Sequence, residues 1–338
     1  MESLSKADRS TAFVFGREGD LLGKVSGQAI YGGASVLSRE SLTTTSSQRV
    51  TTLTPDGSAE SDIGYENIVE AATGDPAGGA AAMWFNSGVV DGVYSNRFVT
   101  SYPDAGVRTG FVPGVTRMVG HCGDRIYGIA QEAYIGTSGP PTENTLYEYA
   151  AETDPKPLHT WDFAEDFLPA SRNAVCTPDG NFLLGLYASD ESRKDRSGGV
   201  GLTLVRVNVH DGTRTQTSLE MVGISEDTRG GIIHLSGGRL HWLTADGKAV
   251  SADWDSDAPQ VVVDWELPSK EIGSVTATES GELVILSKDT SWGIERFEIT
   301  SGDPTSERIS LSWLDSILGA TTESGKSTYT SSGLAYIP

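Results

Sequence analysis

Residues 173–188, NAVCTPDGNFLLGLYA, hold a short apolar run, a tight polar TPDG turn and a second apolar run. Proline sets φ for a turn, aspartate caps its own backbone and glycine supplies positive φ, so the stretch reads as a β-hairpin. The same hairpin recurs along the chain. Counting the glycine or aspartate before each second run, it appears as QAIYGGASVLSRE (Gly33), NIVEAATGDPAGGAAAMWF (Gly79), RMVGHCGDRIYGIA (Asp124) and then the 173–188 stretch (Gly180). GGIIHLSGGRLHWL (Gly238), SVTATESGELVIL (Gly281) and STYTSSGLAYIP (Gly333) continue it, at spacings of 46, 45, 56, 58, 43 and 52 residues. A fixed period in this range marks a repeat architecture.

A second turn lies between successive hairpins: TPDG near Gly57, YPDAG near Gly106, ETDPKP near Pro155, HDG near Gly212, DSDAP near Asp257 and SGDP near Asp303. Each unit therefore holds four antiparallel strands, the blade of a β-propeller. The last unit ends at Pro338 after two strands, while the chain starts with an unmatched hairpin, STAFVFG, REG, DLLGKV. Joining Ser10–Val25 to Lys326–Pro338 completes a last blade shared by both termini, a closure that removes exposed sheet edges. The expected fold is all-β, a seven-bladed β-propeller of four-stranded antiparallel blades. It forms one domain over residues 9–338, with residues 1–8 as a flexible extension. Two β-sandwich domains would need a linker near the middle, and SDESRKDRSGG (189–199) falls inside a blade.

The TPDG hairpins resemble those of bacterial propellers of the YVTN, quinoprotein-like and lactonase-like groups, in which a similar SPDG turn recurs. That resemblance spans nearly the full length and concerns the fold, since such turns are placed by backbone geometry. The lactonase-like group implies a divalent cation in the channel, held by a carboxylate and by asparagines at inner-strand starts. Asn173 resembles one of these. The matching positions in VTRMVGHC, RGGIIHL and IGSVTAT hold no second asparagine or acid.

The chain carries 25 Lys plus Arg against 46 Asp plus Glu, a net charge of −21, which repels phosphate backbones and argues against nucleic acid. Hydrophobic residues make up 37% and 40 glycines add to the apolar share, so a large core is available. No apolar run approaches the length needed to span a bilayer. MESLSKADRS has no apolar stretch. The chain therefore reads as cytoplasmic or as a mature exported form, with a lipid anchor outside the given sequence compatible with the second.

Cys122 and Cys176 each end the innermost strand of a blade, and the two blades are neighbours. Their side chains are expected close together near the axis, as a disulfide or as two buried thiols. A disulfide implies an extracytoplasmic protein, secreted, periplasmic or cell-surface, whereas free cysteines favour an intracellular scaffold. His121 and His234 fall near the ends of innermost strands and are candidates, with Asn173, for catalytic or metal-binding groups facing the channel. His210 and His241 read as turn and packing residues. Asp253, Asp255 and Asp257 alternate in DWDSDAP with Asp264 beyond, as at the start of a calcium loop. Ala258 replaces the glycine such a loop requires, and Asp264 replaces its distal glutamate. An acidic turn is the competing reading.

Connections between the second and third strands lengthen in consecutive blades: NSGVVDGVYSN (86–96), AYIGTSGPPTE (133–143) and SDESRKDRSGG (189–199). With FAEDFLPAS (163–171) and MVGISEDTRG (221–230), they are expected to gather on the face of the channel mouth. No G-x-S-x-G elbow, zinc-type His/Cys cluster or phosphate-cradling loop occurs. The expectation is a monomeric, exported or cell-envelope propeller. It binds a protein, peptide or glycan through Tyr94, Tyr134, Asp190, Arg193, Asp227 and Arg229. The alternative is a hydrolase, lactonase or lyase using Ca²⁺ or another divalent cation in the channel.

Overall fold

The computed structural model describes residues 9–28, 35–38, 41–46, 49–54, 57–63, 69–74, 81–90, 92–102, 106–123, 125–131, 143–150, 159–164, 167–189, 201–221, 223–225, 228–268, 271–278, 280–318 and 334. Among them lie six four-stranded antiparallel blades and a two-stranded hairpin. The innermost strands are Ser35–Ser38, Val69–Gly74, Val115–Cys122, Phe167–Pro169 continued by Val175–Cys176, Thr228–Ser236 and Glu271–Ala277. Each neighbours the next, so together they line the axis of a β-propeller.

Turn chemistry explains why the chain doubles back where it does. In TPDG, the Thr177 hydroxyl donates to Asp179 Oδ1 at 2.5 Å and accepts from Phe182 N at 3.0 Å, while Gly180 takes φ 73°. Thr244 repeats the arrangement with Asp246 and Lys248 N, and Thr278 with Ser280 and Glu282 N. The threonine hydroxyl pulls both aspartate carboxyls below their usual range, since these donated bonds favour the charged form.

Packing between blades follows from strand alternation. Trp84 and Phe98 of the second blade meet Tyr149 of the third, with centroids 4.7 Å apart for Trp84–Phe98 and 4.3 Å for Phe98–Tyr149. All three are fully buried. A Cβ on Gly185 would lie 2.6 Å from Met118 Sδ, so glycine there opens the seat that Met118 fills between blades three and four.

Two expectations shift. The Gly33 turn falls outside the described residues, and the first blade's inner hairpin pairs Ser35–Ser38 with Ser41–Ser46, Ser38 opposite Ser41. Its Ser/Thr-rich strands carry too little apolar contrast to mark the turn. NSGVVDGVYSN is no irregular loop: Val89 pairs with Tyr94 and Val90 with Val93, so it is the tip of a long hairpin with a bulge after Asn86. The terminal hairpin, Arg9–Phe15 with Leu21–Gln28, lies between the last and first blades. Phe13 packs on Trp313, 5.1 Å between centroids, and Trp313 Nε1 donates to Gly19 O at 2.9 Å. Trp313 belongs to the helix Ser312–Leu318. A seventh four-stranded blade is not among the described residues; of the 326–338 segment only Leu334 is described, packed with Phe15 and Trp313 on the sixth blade's core.

Candidate functional site

The starts of the inner strands of blades two to six share one irregularity. In blades two, three, five and six the strand leaves its partner briefly: the register shifts between Val69 and Ala71, Thr116 and Met118, Thr228 and Ile233, and Ile272 and Ser274. In blade four the inner strand breaks between Pro169 and Val175. Such bulges re-aim a side chain and free backbone groups for other partners. Here the freed groups stitch neighbouring blades. Val119 N donates to Arg172 O at 3.1 Å, Ala174 N to Val119 O at 2.8 Å and Arg172 N to Gly231 O at 2.7 Å.

Asn173 works in this seam. Its Nδ2 donates to Ile233 O and its Oδ1 accepts from Ile233 N, both at 2.9 Å, so the amide mimics a strand partner for the fifth blade. Asn96, fully buried, links blades two and three through one amide atom: its Oδ1 accepts from Thr116 N of blade three, while its Nδ2 donates to Glu70 at 2.7 Å within blade two. Glu70's other oxygen accepts from Asn86 at 2.8 Å.

The residues set free at the bulges are Glu70, Arg117, Arg172, Arg229 and Gly273 in blades two to six. Arg117 and Arg172 are exposed, while the hydroxyl residues before them, Thr116 and Ser171, are buried. Ser171 Oγ accepts from Leu186 N at 3.1 Å. Sequence reasoning singled out Arg229 alone. The missed signal is the dipeptide Thr/Ser-Arg at the same place in three consecutive inner strands: Thr116-Arg117, Ser171-Arg172 and Thr228-Arg229.

At the opposite, turn end of the same strands, Cys122 and Cys176 form a disulfide with a Cα–Cα distance of 5.1 Å. His121 is half-buried opposite Ile126. His234 pairs across its hairpin with His241, not with His121, which lies two blades away. Burial, with a smaller contribution from His241, lowers the His234 pKa to about 4. Both rings line a cavity of about 20 Å³ with Trp242 and Trp265, the size of one water. His241 is buried between Asp264 (3.3 Å) and Ser236 O (3.2 Å), and His210 bonds Asn181 (3.0 Å), in keeping with packing and turn roles.

Asp253, Asp255 and Asp257 do not converge. Asp253 caps Asp255 N at 3.1 Å, Asp255 faces Arg206 at 3.6 Å, and Asp257 lines an open polar groove of about 630 Å³ beside the outer strand of blade four. Asp264 is turned away to Ser251 and His241. Among the described residues no three His, Cys, Asp or Glu side chains gather as a metal ion requires. The acidic turn is what forms, because alternate residues of this turn fan outward.

Of the binding candidates, Tyr94 lies half-buried at the base of the second blade's long hairpin tip, its carbonyl accepting from Gly114 N at 2.7 Å. Arg229 lies in the strand Thr228–Ser236. Tyr134, Asp190, Arg193 and Asp227 fall outside the described residues.

No family model matches the chain, and no curated protein does. Among solved structures it resembles the dihydro-heme d1 dehydrogenase NirN in complex with DHE, at 13% identity over 89% of this chain and 71% of that one, TM-score 0.52. The Cps50 (Swd1) β-propeller domain of Myceliophteria thermophila matches at 10% identity over 89% of both chains, TM-score 0.51. Prolyl oligopeptidase B of Galerina marginata matches at 12% identity over 82% of this chain, TM-score 0.51. The chain spans about two fifths of the prolyl peptidases it matches, 41% and 43% of their lengths. At these identities the likeness concerns the β-propeller fold.

Proposed function

We propose that the protein is a non-enzymatic, extracytoplasmic binding propeller that takes a protein, peptide or glycan on the face where its inner strands begin. The observation that carries this reading is the commitment of the channel-side amides. Asn173, the residue resembling a lactonase ligand, spends both amide atoms on the backbone of Ile233. A stitched ring is a rigid platform, on which variable connections grafted to one face select a ligand. The disulfide supports an oxidising compartment. No described helix is long and apolar enough to cross a membrane.

The domain runs over residues 9–338, and residues 326–338 complete a seventh blade against the open edge of Arg9–Phe15. Supporting this, that strand has Leu21–Gln28 as its only partner among the described residues, and Leu334 and Phe15 both pack against the sixth blade's core.

The test is a screen of the intact protein against peptide and glycan arrays, followed by Tyr94→Ala, Arg193→Ala, Asp227→Ala and Arg229→Ala. Loss of a ligand in these variants, with unchanged melting, is expected. Turnover of lactone or ester substrates that needs added divalent cation, and that Asn173→Ala or His234→Ala abolishes, would overturn the reading.

A further inference from the structure

We propose that the bulged starts of the inner strands of blades three to five form an oxyanion site, in which Arg117 and Arg172 grip a carboxylate or phosphate of the ligand. This rests on the binding-propeller reading and names its ligand chemistry. Arg229 follows Thr228 at the start of the fifth blade's inner strand.

The first argument is charge. Acids outnumber bases 46 to 25, and Arg49, Arg206, Arg296 and Arg308 each face a carboxylate. Among the described residues neither Arg117 nor Arg172 is recorded in an ion pair, although both are exposed. Glu70, at the matching place in blade two, does not neutralise them through its recorded bonds, which go to Asn86 and Asn96. The sixth blade carries Gly273 there, which adds no side chain to the row.

The second argument is geometry. Arg172 is hydrogen-bonded through its backbone to Val119 on one side and Gly231 on the other. Those partners lie two residues beyond Arg117 and Arg229, so the arginine Cα atoms of neighbouring blades sit within roughly 10 Å of each other. The Arg172 stem is also seated: a Cβ on Gly231, at φ 67°, would come 2.8 Å from Arg172 Cγ. Glycine there makes room for the stem and directs the guanidinium. Parallel guanidinium forks match the paired oxygens of a carboxylate or phosphate, which lysines do not.

The experiment titrates the intact protein at low salt with a labelled tetraglutamate peptide, with inorganic phosphate as competitor and tetraglutamine as the neutral control. Wild type binds the acidic peptide, and 0.5 M NaCl weakens it through screening. Arg117→Gln and Arg172→Gln each raise Kd about tenfold, the loss of one charge-assisted contact, whereas Arg49→Gln does not. Arg172→Lys, which keeps stem and charge, falls between and guards against a folding artefact. Displacement by phosphate assigns a general oxyanion site; peptide binding that phosphate does not displace assigns carboxylate. The site is overturned if wild type binds neither probe, or if the glutamine variants melt normally and keep full affinity. A ligand lost in Tyr94→Ala yet indifferent to both arginines overturns the oxyanion site and leaves the binding face standing. A ligand that maps to the turn end of the blades overturns both.

Discussion

Asn173 shows how a residue's chemistry is decided by its neighbours. In the sequence it is an asparagine at an inner-strand start, open to a metal role. In the fold its amide closes a gap that the bulge at Thr228–Ile233 leaves in the fifth blade. Asn173→Ala leaves Ile233 N and O without these bonds and is expected to cost about 2 kcal/mol in denaturant unfolding. Loss of a bound cation with no loss of stability would contradict this role. His234 gives a pH signature. Its folded pKa of about 4 lies below the unfolded value of 6.5, so the unfolded chain binds the proton first and the native state loses stability as pH falls. The loss starts near pH 6.5 and levels off near pH 4, at about 3 kcal/mol. Unfolding of His234→Asn should lack this component over the same window, which a wild-type minus variant comparison isolates from carboxylate titration.

Inner strands are the elements on which everything here depends. Their starts are held by backbone bonds and asparagine amides, their ends in blades three and four by Cys122–Cys176. The disulfide closes a loop over a sequence separation of 54 residues. Chain-entropy reasoning assigns it about 4 kcal/mol. Reduction, or Cys122→Ala with Cys176→Ala, is expected to lower Tm by about 6 °C in calorimetry. Unchanged melting would mean that the seam of backbone bonds already holds the two blades. Both cysteines were legible from the repeat, because hairpin alignment put them at equivalent ends of neighbouring strands. The proposed pair of Arg117 and Arg172 was not singled out: the dipeptide signal was in the repeats, but the exposure of both residues and the seam that sets them side by side come from the fold.

At the scale of the whole ring, stability depends on closure. The hairpin Arg9–Phe15 with Leu21–Gln28 bridges the sixth and first blades through Trp313, Phe13 and Gly19. If residues 326–338 complete that blade, deleting them opens a sheet edge and exposes Phe15 and Trp313. A lower Tm, concentration-dependent aggregation and a red-shifted tryptophan emission are the expected outcomes. A deletion variant that melts like the intact chain would count against the seventh blade.

By itself the sequence determined what depends on local rules. Period-two runs, Pro-Asp-Gly turns and regular spacing specify strands, hairpins and a repeating four-stranded unit, because each rests on backbone sterics within a few residues. Local rules faltered where contrast was low, as in the Ser/Thr-rich first blade, or where a hairpin tip carries turn-like residues, as in residues 86–96. Only the tertiary structure decided what neighbouring blades do to one another. Asn173 became a backbone partner because its amide meets Ile233, 60 residues away in the chain and adjacent in the ring. His234 became a half-buried ring whose desolvation favours the neutral form, and Asp253, Asp255 and Asp257 a fanned turn, outcomes that side-chain placement and not residue type decides.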